Sequence, residues 1–266
     1  MQKTCIKENI NRALRYILIL FGVLNMLGIS SCNGENVPDC FRNEGTIVRE
    51  QVTVAGFDRI TVFENIELII IQGTEQKVEI ETGEFLRKDV SANVEDGRLI
   101  LRNKASCNFF REYGNTRIFV TTPDLREIRS STGFPIRSNG LLSFSDLSLF
   151  SESFINSESE TTDGSFDLEL NTQSVRLVVN GIAYFQLSGA TENLNITIAA
   201  GDSRIEAETL MAQNVTIDHR GSNDIRINPQ LSLQGVIRGT GDVISFNRPD
   251  TVDVEVIFRG RLLFED

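Results

Sequence analysis

Three related segments in the C-terminal half decide how this chain folds: Ala-Gly-Asp-Ser-Arg-Ile at 200–205, Arg-Gly-Ser-Asn-Asp-Ile at 220–225 and Arg-Gly-Thr-Gly-Asp-Val at 238–243. The segments return about every 20 residues, a period typical of repeat proteins in which each unit packs against its neighbours. Because glycine reaches positive φ without strain, we expect turns at Gly201, Gly221, Gly239 and Gly241.

An acidic residue accompanies each set of glycines. We expect the carboxylates of Asp202, Asp224 and Asp242 to accept hydrogen bonds from turn amides, as short acidic side chains do. The alternative is Ca²⁺ binding, which acidic glycine-rich β-rolls achieve with a nine-residue repeat that brings several oxygen ligands to each ion. A period of about 20 residues would place only one acid in each layer, so we predict structural turn residues and no metal site.

The residues between these segments alternate between apolar and polar, which is the period of a half-buried strand. Two columns of apolar residues keep the repeat: Phe166, Phe185, Ile205, Ile225, Val243 and Leu262 in the first, and Leu177, Ile196, Ile217, Ile237 and Ile257 in the second. Two columns with one period imply at least two strands in each repeat, with equivalent strands stacked in parallel. The predicted fold is therefore all-β: a parallel β-helix, or β-solenoid, with rungs of about 20 residues and a right-handed coil.

The N-terminal half also has the pattern of strands. Alternating apolar runs occupy 47–54, 60–63, 66–71, 78–81 and 99–101, and glycine-containing turn signals such as Asp96-Gly97 separate them. Residues 84–90 form the one plausible helical turn. We expect a single domain over residues 46–266.

A secretory leader precedes this domain. Four basic residues stand before an apolar run at 16–29 that is too short and too interrupted for a comfortable membrane span: Lys3, Lys7, Arg12 and Arg15. The run ends in Ile29-Ser30-Ser31-Cys32, which resembles the bacterial lipobox and implies cleavage before a lipidated Cys32. We therefore assign a lipoprotein signal peptide to 1–31 and a tether to 32–45. An ordinary secretory signal and a single-pass anchor are the alternatives.

Two cysteines remain beyond the leader and the lipidation site. In an oxidising compartment Cys40 and Cys107 are candidates for a disulfide, which the loop-entropy model values at roughly 3–5 kcal/mol. Two separate free thiols are the alternative.

Charge and composition narrow the classes of partner. The chain carries a formal charge of −11, and removing the leader, which carries a net +3, leaves −14. Nucleic-acid binding is excluded, because it requires clustered Lys and Arg. No catalytic pattern or cofactor motif is evident. The only histidine, His219, is expected to be solvated, and a general base is the alternative. The acidic residues of 152–163 are expected to form a solvated loop or face, with cation binding as the alternative.

Several segments together resemble a known family. They are Gly56-Phe57-Asp58-Arg59-Ile60, Val94-Glu95-Asp96-Gly97-Arg98, Leu187-Ser188-Gly189-Ala190 and Asn247-Arg248-Pro249, combined with the three glycine segments. The set resembles the family described as putative auto-transporter adhesin, head GIN domain, over nearly all of the mature chain. The resemblance implies a secreted or lipidated β-helix-like protein of Gram-negative bacteria. This chain departs from the pattern at Asn223, where glycine is usual, and at 258–261, where the acid is missing, so an acid is not required in every repeat.

These observations predict a non-catalytic lipoprotein of the cell envelope, anchored in the outer membrane by its lipid. It would act as an adhesin-like module that binds a protein or glycan ligand. One alternative is a structural solenoid that associates with other copies of itself. The other is a polysaccharide-active β-helix enzyme, which rests on analogy of fold alone.

Overall fold

The computed structural model describes residues 42–63, 65–105, 114, 116–154 and 159–265. These residues form β-strands and one short 3-10 helix at Arg87–Asp89. The strands are β1 (Ile47–Val52), β2 (Arg59–Phe63), β3 (Glu67–Gln72), β4 (Lys77–Gly83), β5 (Val90–Glu95), β6 (Arg98–Asn103), β7 (Arg117–Thr122), β8 (Glu127–Ser131), β9 (Pro135–Ser138), β10 (Asp146–Ser151), β11 (Ser165–Val179), β12 (Tyr184–Ile198), β13 (Arg204–His219), β14 (Ile225–Ile237), β15 (Val243–Ser245), β16 (Thr251–Val256) and β17 (Leu262–Phe264). The strands predicted for the N-terminal half and the helical turn at 84–90 are confirmed.

The predicted leader, Cys32, Cys40 and Cys107 lie outside the described residues. Within the described part of the chain, no helix is long and apolar enough to span a bilayer.

All 17 described strands belong to one sheet that wraps around a single apolar core. The pairings form two series of neighbouring strands. One runs β5–β6–β2–β8–β10 and the other β1–β4–β7–β3–β9. Both series continue through the long strands β11, β12, β13 and β14, and they end at β16 and β17 respectively.

The predicted parallel β-helix with rungs of about 20 residues is wrong for this chain. The sheet is mixed, because β1 pairs with β4, β4 with β7, and β5 with β6 in the antiparallel direction. A local turn explains the last of these pairs. Asp96 and Gly97 are the only residues between β5 and β6 and have φ of 47° and 75°, the geometry of a two-residue hairpin, which reverses the chain and cannot lead to a parallel neighbour.

The first predicted apolar column is confirmed. Phe166, Phe185, Ile205, Ile225, Val243 and Leu262 are partners in successive strands, and all except the last are fully buried. The Phe166 and Phe185 rings stack with centroids 4.5 Å apart. This column places large apolar side chains in register through the core of the C-terminal half.

The second predicted column is correct only as far as Ile217. The partner of Ile217 is Gly235, whereas Ile237 pairs with His219. Register shifts between β13 and β14 cause the difference, because β13 contains extra residues at its corner that β14 lacks. Gly235 fits this position, since a Cβ there would lie 1.9 Å from the Ile217 carbonyl oxygen.

Candidate binding groove

The glycine segments form a stack of turns along one side of the molecule. Residues 180–183, 199–203, 220–224, 238–242 and 257–261 each connect one strand to the next. The amides of Asp202, Ser222, Thr240 and Gly260 each donate a hydrogen bond to a glycine carbonyl of the preceding turn, over 2.8–3.1 Å. Consecutive turns are therefore joined by main-chain hydrogen bonds, like the strands that they connect.

Glycine is required in this stack mainly because neighbouring backbones approach closely. A Cβ on Gly239 would lie 2.0 Å from the Gly221 oxygen, and a Cβ on Gly201 would lie 2.2 Å from the Gly181 oxygen. Of the four glycines predicted at turns, only Gly201 has a positive φ, at 92°. The need for a positive φ, which the sequence predicts at these turns, therefore explains glycine at position 201. At position 239, glycine is explained by the close approach of the neighbouring backbone.

The predicted acidic residues connect successive turns. An Asp224 carboxylate oxygen accepts a hydrogen bond from the Asp242 amide at 2.9 Å, and an Asp242 carboxylate oxygen accepts one from the Arg261 amide at 2.8 Å. The Arg261 guanidinium also donates to Asp242, and this hydrogen bond is the largest reason that the pKa of Asp242 lies below its usual value. Asp202 instead accepts a hydrogen bond from the Ser222 hydroxyl at 2.8 Å.

The stack forms the floor of an open groove of about 550 Å³. Its five layers span about 19 Å at the usual spacing between strands. Arg220 and Arg238 belong to its lining, and each is paired with Asp218, at 3.6 Å and 3.4 Å. The lining includes two strongly exposed apolar side chains, Ile182 at 64% and Phe258 at 57%.

The groove can make three kinds of contact. Its guanidinium groups and the hydroxyl groups of Ser222 and Thr240 can hydrogen-bond oxygen-rich groups, and Ile182 and Phe258 offer apolar contact. Among the described residues, no group of three or more His, Cys, Asp or Glu side chains could hold a metal ion. The arrangement suits the binding of an elongated ligand along the stack.

The sequence prediction for His219 is wrong. The side chain is fully buried beneath the turns, and the Gly221 amide donates to its Nδ1 at 3.4 Å. Burial lowers the pKa of His219, although the nearby backbone of Gly241 and Asn223 and the Asp224 carboxylate oppose the shift. His219 therefore supports the floor of the groove from the inner side.

The expectation of a solvated acidic segment at 152–163 is wrong at Glu152. This residue is fully buried and forms an ion pair with Arg129, which is itself nearly buried. The Arg129 guanidinium also lies 4.4 Å from the centre of the Phe150 ring. Sequence reasoning missed this pair because Arg129 lies on β8 and Glu152 directly follows β10, with no local signal connecting them.

A protein family and several solved structures are similar to this chain. The model of the family described as "Putative auto-transporter adhesin, head GIN domain" matches residues 56–249. No curated protein matches the chain.

Three solved structures share the fold at low sequence identity. A putative adhesin from Bacteroides fragilis is 19% identical with a TM-score of 0.73, over 84% of this chain and 99% of that one. A putative adhesin from Parabacteroides merdae is 19% identical with a TM-score of 0.61, over 86% and 100%. A putative lipid binding protein from Parabacteroides distasonis is 14% identical with a TM-score of 0.58, over 84% and 98%.

Proposed function

The chain belongs to the family described as putative auto-transporter adhesin, head GIN domain, and from this membership we propose that it is an adhesin-like, non-catalytic binding module of the cell envelope. The family description refers to adhesion and not to an enzymatic reaction. The proposed module is tethered to the outer membrane by a lipid on Cys32, with residues 33–45 as the connecting segment.

Within the structure, the observation that supports this proposal is the groove along the stacked turns. It is open to solvent, and its lining combines apolar, hydroxyl, guanidinium and carboxylate side chains with the backbone of several glycines. An open surface of this kind suits a ligand that extends beyond the protein, such as a glycan chain or an exposed protein segment. A small substrate would instead be expected in an enclosed cavity that buries most of its surface.

Binding of the full-length chain in mild detergent to glycan and protein arrays, with and without Ca²⁺, tests this function. We expect saturable binding to one ligand class that does not require Ca²⁺, because the Asp224 and Asp242 carboxylates already accept hydrogen bonds. Strictly Ca²⁺-dependent binding would instead assign these carboxylates to a cation. Blank glycan and protein arrays would contradict the proposed binding function.

A further inference from the structure

Core positions are exposed in the last layer of the sheet that the described residues form. Across the paired strands, Val175, Leu194, Val215 and Leu233 occupy one core column and are almost completely buried. The next member of this column is Val252 on β16, which is 39% exposed.

A second column shows the same change. Val179, Ile198, His219 and Ile237 are fully buried, whereas the next member, Val256, is 48% exposed. Ile257 and Phe258, which follow β16, are also 50% and 57% exposed. This end face, formed by β16, β17 and residues 257–261, therefore presents side chains with the spacing of a core layer.

The backbone at this end is also open. In the described part of the chain, β16 pairs only with β14 and β17 pairs only with β15. The outer edges of both strands thus present amide and carbonyl groups to which another strand can hydrogen-bond. A suitable occupant is a β-layer with apolar side chains at the same spacing, and the end face itself has both properties.

The charges around the end face identify the orientation of such an occupant. The β16 side is acidic, with exposed Asp250, Asp253 and Glu255. The β17 side is mainly basic, with exposed Arg248 and Arg259, although Glu265 also lies there and the charge of exposed Arg261 is balanced by Asp242. Placing β16 of one copy beside β16 of another would oppose like charges, which is unfavourable across paired strands. Placing β16 of one copy beside β17 of the other would bring acidic residues next to basic ones, which is favourable.

We propose that the end face is an interface between two copies of this chain, in which β16 of each copy lies beside β17 of the other. Both halves of the interface are then equivalent, so the contact closes into a two-fold dimer and does not propagate into a fibre. The exposed valines would be covered by the partner's apolar layer. This inference is independent of the groove, apart from Phe258, which lines both surfaces.

Sedimentation equilibrium of the full-length chain in a density-matched detergent, with a pair of charge-reversal variants, tests the interface. Asp253→Lys with Glu255→Lys makes the β16 side basic, and Arg248→Glu with Arg259→Glu makes the β17 side acidic. We expect the wild type to dimerise and each variant to dimerise at least about tenfold more weakly, because like charges then face each other. Mixing the two variants should restore the dimer, since every facing pair is again of opposite charge.

Asp146→Lys with Glu192→Lys provides the matched control. Both residues are exposed and lie away from the end face, and the change in net charge equals that of the first variant. The control should dimerise like the wild type. A wild type that stays monomeric at 100 µM, or charge-reversal variants that dimerise as tightly as the control, would overturn the proposal. Restored association in the mixture also shows that both variants are folded.

Discussion

The Asp224 carboxylate accepts a hydrogen bond from the main-chain amide of Asp242, 2.9 Å away and one repeat further along the chain. Asp242 makes the same contact with the Arg261 amide. The acid of the glycine segment therefore binds the following turn. This relationship explains how short polar segments form a regular surface without a core of their own.

Replacing Asp224 by alanine should destabilise the fold, because the Asp242 amide loses its hydrogen-bond acceptor. We expect a loss of about 1–2 kcal/mol in the free energy of unfolding, measured by urea denaturation. Asp146→Ala, which removes an exposed acid at the start of β10, is the matched control and should be nearly neutral. Equal effects of the two substitutions would show that the contact across the turns contributes nothing measurable.

Replacing Gly239 by alanine should cost more. The new Cβ would lie 2.0 Å from the Gly221 oxygen, so the stacked turns would have to separate. We expect a loss of about 1–3 kcal/mol or more, by analogy with overpacking of a core. Gly56→Ala is the control, because the nearest atom to its Cβ would be the Gln76 side-chain oxygen at 3.8 Å. A Gly239 variant as stable as the Gly56 variant would contradict the close-packing explanation.

Local patterns predicted the strands well and their pairing only in part. Alternation and the 20-residue period placed Phe166 through Val243 in one buried column, as the structure has it. The antiparallel pairing of β1 with β4 joins residues that are far apart in the sequence, from Val52 with Val78 to Ile47 with Gly83, and no local pattern specifies such a partner. The Asp96-Gly97 hairpin was different, because its turn signal was present in the sequence and argues directly against an all-parallel sheet.

The candidate site was also predictable only in part. The glycine and aspartate segments identified the turns, but Ile182 and Phe258 belong to turns with a different sequence, so the full length of the groove was not apparent. The burial of His219 could have been predicted from alternation, since Val215 and Ile217 on the same strand point inward. For His219, the position in the strand predicts burial correctly, whereas the polar chemistry of the side chain suggests exposure.

The burial of His219 predicts a dependence of stability on pH. Its pKa is lowered in the folded state, mainly by burial, although Asp218 and Asp224 oppose the shift and Asp242 lies within electrostatic range. The unfolded chain therefore binds more protons below pH about 6.5. The contribution of His219 to the free energy of unfolding is complete above that pH. It is lost as the pH falls, by at most about 1.4 kcal/mol for each pH unit.

Urea denaturation at pH 7.5 and pH 5.5 measures this effect. His219→Leu removes the only histidine, so the variant should lose less stability than the wild type over this interval. An identical loss in both proteins would show that protonation of His219 does not affect unfolding.

The proposed anchor predicts that Cys32 carries the lipid. Cys32→Ser should abolish incorporation of a labelled fatty acid and release the protein from the membrane fraction. Cys5→Ser, in the proposed leader, should leave both unchanged. Labelling that persists in the Cys32 variant would place the lipid elsewhere or indicate a different anchor.

Binding by a variant with a filled groove tests the central claim most directly. Thr240→Trp places a large side chain in the groove, and Leu231→Trp adds the same side chain at an exposed site outside the groove. Titration of the array ligand should give an affinity at least about tenfold weaker for the Thr240 variant, or about 1.4 kcal/mol, and an unchanged affinity for the Leu231 variant. Equal affinity of the wild type and the Thr240 variant would show that the ligand binds elsewhere and would contradict the assignment of the groove.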